Sequence, residues 1–256
     1  MQPSIDRLKK FNLGMGFLHL VQGTVMVFLV AFIDVLNDFR PMIFGRFFEG
    51  SRDMYIPGTQ ELFTLPFGYL AALFLLLSAL FHFLIGTVFY PKYLRGITNG
   101  INKYRWYEYA LSSSLMIVLL TTLFGLLTIE SVVLVFTVNA LMNFFGLLME
   151  EMNPPQRKRT NWKPYFFGWI AGIVPWILIL VYLFGNTDLS LLPWFVIPGV
   201  TFYFLVFNAF AFNQFFQYKK IGPWVNYVFG ERMYVVLSLI GKSVLAWMLI
   251  LGILLA

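Results

Sequence analysis

The sequence contains no cysteine, so neither disulfide bonds nor thiolate chemistry is available to this protein. Charge is scarce as well: charged residues make up 12% of the 256 residues, whereas soluble domains carry about 25%. Hydrophobic residues make up 59%, and the mean hydropathy is +0.77. This composition excludes an ordinary soluble domain and indicates a membrane protein.

Patterns of known catalytic chemistry are missing too. The sequence has no phosphate-binding glycine loop and no recognisable pairing of a nucleophile with a base. Its two histidines, His19 and His82, and the distant Glu108 do not have the spacing of metal ligands. We therefore expect neither enzymatic turnover nor a metal site.

What the sequence does contain is long apolar runs. A helix needs about 20 such residues to cross a bilayer, and seven runs fit, at roughly 11–33, 66–90, 106–129, 131–149, 165–184, 192–216 and 233–255. The sequence thus predicts an all-α membrane protein, a bundle of seven transmembrane helices forming a single domain over residues 1–256. The first run is too long for a secretory signal and has no small-residue cleavage site, so we expect it to be a retained span.

Basic residues are distributed unequally between the two sides of the predicted bundle. One side holds Arg7, Lys9, Lys10, Lys92, Arg95, Lys103, Arg105, Arg157, Lys158, Arg159, Lys163, Lys219, Lys220 and Arg232. The other side holds only Arg40, Arg46 and Arg52, in a loop that also carries acidic residues. Because cytoplasmic loops are enriched in Lys and Arg, we expect a cytoplasmic N-terminus and an extracellular C-terminus. The formal charge of +6 then reflects membrane topology and not a nucleic-acid partner.

The longest predicted connection covers about 34–65, on the extracellular side. Its segment MIFGRFFEGSRDMYIPG has strand-like runs separated by a polar break that contains glycine, a pattern typical of a β-hairpin. An irregular loop explains the same composition equally well.

Lys242 lies inside the last apolar run, in the segment SLIGKS. About 14 residues follow it, roughly 21 Å of helix, so its amine is far from the extracellular boundary. Burial disfavours the charged form of an amine, and a neutral amine can attack an aldehyde to form a Schiff base. An ion-paired or snorkelling lysine is the alternative interpretation.

Glu108, in YRWYEYALSSS, is the carboxylate that we expect to pair with Lys242 in the apolar zone. A single glutamate would then balance a protonated Schiff base. Hydropathy places Glu108 near the cytoplasmic boundary, so this pairing requires the third helix to begin earlier, near Gly100, and to tilt. A glutamate at an interfacial helix start is the alternative.

The two histidines are predicted to lie at a similar depth, about 12 Å from the cytoplasmic boundary. Ser78 is one helical turn from His82, and Gln22 follows His19 by three residues, so each pair shares a helix face. We expect one cytoplasmic-side cavity in which the imidazoles accept or share a proton. Histidines that only pack between helices are the alternative.

Further inward-facing residues are expected to line a flat, mostly apolar slot for a ligand. They are Gln22, Tyr109, Asn139, Met142, Asn143, Tyr203, Phe204, Phe207, Asn208 and Ser238. Ser238 precedes Lys242 by four residues and lies over the same helix face. Any one of the aromatic residues also fits ordinary helix packing.

Three features together resemble the heliorhodopsins, retinal-binding proteins whose membrane orientation is reversed relative to ordinary microbial rhodopsins. These features are the seven spans, the lysine of SLIGKS and the glutamate of RWYEYALSSS. The resemblance covers nearly the whole chain, although no single feature would suffice. It implies that Lys242 carries all-trans retinal as a protonated Schiff base, with Glu108 as the counterion.

The same resemblance implies roles for other residues. Ser238 would form a hydrogen bond near the imine, whereas His19 and His82 would belong to a cytoplasmic polar network bordered by Arg105. Ordinary microbial pumps carry an aspartate at the position of Ser238. Their proton-donating carboxylate on the third span is replaced by Leu119. Vectorial transport is therefore disfavoured.

We accordingly expect a light-sensing photoreceptor of the cell membrane that contacts membrane lipid. By the resemblance it is a homodimer with an unknown signalling partner. Two alternatives stay open at this point. A light-gated ion or proton channel would need a continuous polar path through the membrane. A retinal-free transporter or receptor, in which Lys242 and Glu108 form a buried salt bridge, would be colourless.

Overall fold

The fold is described from a computed structural model of the chain, for residues 2–50, 56–185 and 192–255. Helices and one hairpin make up the regular structure of these residues. In chain order they are α1 (Gln2–Phe32), α2 (Asp34–Asp38), β1 (Met42–Glu49), β2 (Ile56–Thr64), α3 (Phe67–Gly86), α4 (Tyr90–Thr98), α5 (Lys103–Leu123), α6 (Ile129–Met152), α7 (Lys163–Gly185), α8 (Val196–Lys219) and α9 (Tyr227–Leu255). The seven long helices correspond to the seven predicted spans.

Six of the seven long helices, all except α5, have the length and apolar composition to cross a membrane. α5 is the polar exception because it carries Arg105, Glu108 and several hydroxyl side chains. It nevertheless buries 14 of its 21 residues and packs against both α3 and α6. Arg105, Glu108 and most of the hydroxyl side chains therefore face protein instead of lipid. The predicted bundle of seven membrane helices is confirmed.

The long helices alternate in direction, so their connections fall at two ends of the bundle. The starts of α1, α5, α7 and α9 lie at one end. We call it the basic end, because it holds the Lys and Arg residues that the sequence assigned to the cytoplasmic side, from Arg7 to Arg232. The hairpin and the end of α9 lie at the other, which we call the hairpin end. Which membrane face each end occupies stays a prediction.

The connection between α1 and α3 contains a β-hairpin, which was one of the two interpretations that the sequence allowed for this segment. Strands β1 and β2 are antiparallel, with Met42 opposite Thr64. The backbone N–H of Phe44 donates to the carbonyl of Leu127 at 2.8 Å. The hairpin is therefore fixed to the connection between α5 and α6. Arg52, which we placed in this loop, lies outside the described residues.

The short helix α4 was not predicted from the sequence. Its buried residues Tyr93 and Ile97 are four positions apart and pack against Leu8 of α1. Lys92 and Arg95 lie on its exposed side. The predicted apolar run 66–90 therefore extends from α3 to the first residue of α4, and it hid the boundary of this separate amphipathic helix at the basic end.

Helices α1 and α3 approach each other closely through small residues. A Cβ atom added to Gly16 would lie 2.9 Å from the Cβ of His82, and one added to Gly23 would lie 2.7 Å from Leu76 Cδ2. Glycines at such positions allow membrane helices to pack backbone to backbone. The contact also brings His82 of α3 beside His19 of α1.

Replacing Gly16 tests this close approach. We expect Gly16→Ala to lower the thermal unfolding midpoint in detergent, because overpacking costs about 1–3 kcal/mol and outweighs the roughly 1 kcal/mol gained in helix propensity. The matched control is Gly14→Ala, where an added Cβ meets nothing within 4 Å. Equal midpoints for the two variants would contradict the described packing of α1 on α3.

Candidate functional site

The amine of Lys242 lies in the interior, at the meeting point of α3, α5 and α9. Lys242 Nζ is 2.5 Å from Glu108 Oε1 and 2.5 Å from Ser78 Oγ. The Ser78 hydroxyl in turn donates to Glu108 Oε1 at 2.7 Å. The side chains of Lys242 and Glu108 are only 4% and 8% exposed. One buried cation is thus balanced by one buried carboxylate, with a serine joining them.

The start of α5 explains how Glu108 reaches this depth. The helix begins at Lys103, earlier than the apolar run and close to the start near Gly100 that the pairing required. Asn102 caps it, since its side-chain oxygen accepts a hydrogen bond from the backbone N–H of Arg105 at 3.2 Å. Glu108 therefore lies in the second turn of a capped helix and points into the bundle.

Lys242 also forms part of the wall of a long, mostly apolar cavity bounded by α5, α6, α7, α8 and α9. The predicted slot residues that line it are Tyr109, Met142, Asn143, Tyr203, Phe207, Asn208 and Ser238. The ring of Tyr109 lies 5.2 Å from Lys242 Nζ, and its hydroxyl donates to the carbonyl of Tyr234 at 3.0 Å. An aromatic ring is therefore held in place directly beside the amine.

Three other predicted slot residues do not line this cavity. Asn139 donates to Ser113 Oγ at 2.8 Å and so joins α6 to α5. The side-chain oxygen of Gln22 accepts a hydrogen bond from Trp247 Nε1 at 3.1 Å, which joins α1 to α9. Phe204 packs its ring against another residue of the wall, Trp176. These side chains hold the helices around the cavity together.

The residues of α7 that line the cavity were not predicted from the sequence. Trp169 and Trp176 line it together with glycines of the same helix. The ring of Trp176 contacts those of Phe204 and Phe207, with centroids 5.0 and 5.5 Å apart. A signal was present, because Trp162, Trp169 and Trp176 recur every seven residues and thus share a helix face.

A second, polar cavity lies on the basic-end side of Glu108. Its lining includes Ser78, His82 and Arg105. The rings of His19 and His82 stack with centroids 5.7 Å apart, and His82 Nδ1 lies 2.9 Å from Asn12 Oδ1. The structure therefore brings together the two histidines that the sequence placed at equal depth.

Several buried polar atoms near these cavities have no hydrogen-bond partner among the described residues. They include both ring nitrogens of His19, Trp176 Nε1, Arg105 Nε and the hydroxyl of Ser238. Ser238 lines both cavities, but Ser78 makes the hydrogen bond to Lys242. The hydrogen bond expected from Ser238 near the lysine stays a prediction.

Arg105 lies one helical turn before Glu108 and forms a separate buried charge cluster. Its guanidinium donates to Glu150 of α6 and to Glu231 of α9. Glu150 Oε2 also accepts hydrogen bonds from Trp106 Nε1 and from the backbone N–H of Asn102, both at 2.8 Å. The resemblance implied that Arg105 borders a cavity, whereas its two carboxylate partners were not predicted. Both lie near helix ends, where hydropathy assigns charges to water.

Comparison with known proteins agrees with this architecture. The sequence model of the heliorhodopsin family matches residues 8–254. No curated protein matches the chain. The match extends over all seven long helices, including the three that hold Lys242, Glu108 and Ser78. The chain therefore belongs to the heliorhodopsin family of retinal-binding, photoreceptor-type membrane proteins.

Proposed function

We propose that the protein is a light sensor that holds all-trans retinal covalently on Lys242, with Glu108 as the sole counterion. The observation that carries the proposal is the 2.5 Å contact between Lys242 Nζ and Glu108 Oε1 at the wall of an apolar cavity. Lys242 Nζ would hold the aldehyde end of retinal covalently, with release of water. When bound, retinal supplies light absorption and isomerisation.

The described residues fit such a group. Its polyene is long, flat and apolar, and it carries a polar atom only at the end that joins the lysine. The cavity matches this distribution. Among the described residues that line it, Lys242 is the one Lys, Arg, Asp or Glu, whereas Trp176 and Phe207 line it along α7 and α8. The hydroxyl of Ser238 also lies on the cavity wall, one helical turn before Lys242.

Glu108 and Ser78 hold the positive charge at Lys242 Nζ in the dark. A rotation that turns the N–H away from Glu108 Oε1 breaks that pairing, and the proton then needs another acceptor. His19 and His82 are next to the polar cavity, and the ring nitrogens of His19 are unpartnered among the described residues. A neutral imidazole has a ring nitrogen with a lone pair that can accept a proton or a hydrogen bond. We propose that the histidine pair receives or shares this proton.

The hairpin-end half of the bundle supports a sensor and not a transporter. Its core contains Ile117 and Leu119 of α5 packed with Phe74 and Leu249. The two buried threonines of α5 donate to carbonyls of their own helix. Among the described residues, the buried side chains of Asp, Glu, His, Lys and Arg lie at Lys242 or toward the basic end. A polar path through the membrane would have to cross this hydrocarbon layer.

The absorption spectrum tests the attachment and the counterion. We expect a visible band after purification with all-trans retinal, and a red shift in Glu108→Gln because the counterion no longer stabilises the positive charge at the nitrogen. Lys242→Arg keeps a cation beside Glu108 but cannot form an imine, so it should be colourless. Glu151→Gln, at an exposed glutamate, is the control and should leave the band unchanged. A colourless folded wild-type protein would support the retinal-free alternative instead.

The proposed absence of transport is tested by electrical recording. In voltage-clamped cells that express the protein with retinal, light should evoke no steady current at any holding potential. The reason is the apolar layer around Leu119, which offers no carboxylate to relay a proton. A known light-driven pump expressed in parallel verifies the recording. A sustained photocurrent that disappears in Lys242→Arg would establish the channel alternative.

A further inference from the structure

Six basic side chains surround the start of α7 and the end of α8, and we call them the α7–α8 basic patch. They are Arg157, Lys158, Arg159, Lys163, Lys219 and Lys220, all exposed. Between Glu151 and Glu231 the sequence has one acidic residue, Asp188, which belongs to the connection at the hairpin end and lies outside the described residues. Glu151 is bound to Lys103 at 2.8 Å. The patch therefore carries positive charge that the nearby chain does not neutralise.

The loop that presents the first three bases is ordered by its own hydrogen bonds. The backbone N–H of Asn161 donates to Asn153 Oδ1 at 2.6 Å, and Asn153 Nδ2 donates to the carbonyl of Asn161 at 3.0 Å. Arg157 donates to the carbonyl of Met152 at 2.5 Å and to that of Arg159 at 2.9 Å. Because its side chain is held in this way, Arg157 loses less conformational entropy when a ligand binds.

Aromatic residues adjoin the patch at the basic-end starts and ends of the membrane helices. Lys219 Nζ lies 5.5 Å from the ring of Trp162 and 5.8 Å from that of Phe215. Tryptophan and tyrosine concentrate where membrane meets water. One turn further along α7, the rings of Phe166 and Phe167 are 61% and 51% exposed. Exposed cations are thus followed immediately by an apolar surface.

We propose that the α7–α8 basic patch binds an anionic phospholipid. The headgroup phosphate lies beside Trp162, where Lys163 and Lys219 donate charge-assisted hydrogen bonds to it, and the acyl chains lie against Phe166 and Phe167. Clusters of four to eight bases next to a membrane helix are typical of such lipid recognition. A soluble acidic protein segment would reach the bases but would leave the two phenylalanines unused.

Native mass spectrometry of the full-length protein in detergent tests the proposal. The probe is phosphatidylglycerol, compared with phosphatidylcholine of the same acyl chains. We expect retention of phosphatidylglycerol, weakened about tenfold or more in the double variant Lys163→Gln/Lys219→Gln, since each base contributes about fivefold. The control, Lys92→Gln/Arg95→Gln, removes the same charge from α4 at the same end and should change binding by less than about twofold.

Three results would overturn the proposal. Equal retention of the two lipids would show that the patch does not select charge. Equal losses in the two double variants would show general attraction by the basic end without a site. Binding of a soluble polyglutamate peptide that is tighter than that of phosphatidylglycerol, and lost in Lys163→Gln/Lys219→Gln, would identify an acidic protein segment as the occupant. Retention of the thermal unfolding midpoint verifies that each variant is folded.

Discussion

The buried contact between Lys242 and Glu108 is the constraint on which the structure of the bundle depends. Removing one partner of a buried ion pair typically costs about 3–5 kcal/mol, because the other charge is left unpaired. The two residues lie on α9 and α5, and Ser78 of α3 bonds to both. Three helices must therefore meet at one point. The most polar helix, α5, accordingly occupies an interior position between α3 and α6.

Around this contact the membrane domain divides into two halves of different chemistry. The half toward the basic end contains the stacked histidines and the cluster of Arg105 with Glu150 and Glu231. That cluster joins α5, α6 and α9, and its Arg105 lies one helical turn from Glu108. The core of the other half is mainly apolar. Among the described residues, the buried charged neighbours of the lysine therefore lie on one side of it, which suits the proposed light sensor.

Much of this arrangement followed from the sequence because burial in a membrane restricts where ionisable residues occur. The seven spans and the two motifs with Lys242 and Glu108 were visible on that basis. Glu150 and Glu231 were not, since charges near helix ends look solvated in a hydropathy scan, and only the fold shows Arg105 turning inward to meet them. Gln22 does not line the described cavity and instead contacts Trp247, because helix spacing fixes a face but not the helix that this face contacts.

The most direct test of the central claim is to locate the covalent bond itself. Retinal-loaded protein is illuminated in the presence of borohydride, digested and analysed by mass spectrometry, with protein never exposed to retinal as the control. The account predicts a reduced retinyl group on the peptide that contains Lys242 and on no other lysine. An unmodified Lys242, or an adduct on a different residue, would contradict it.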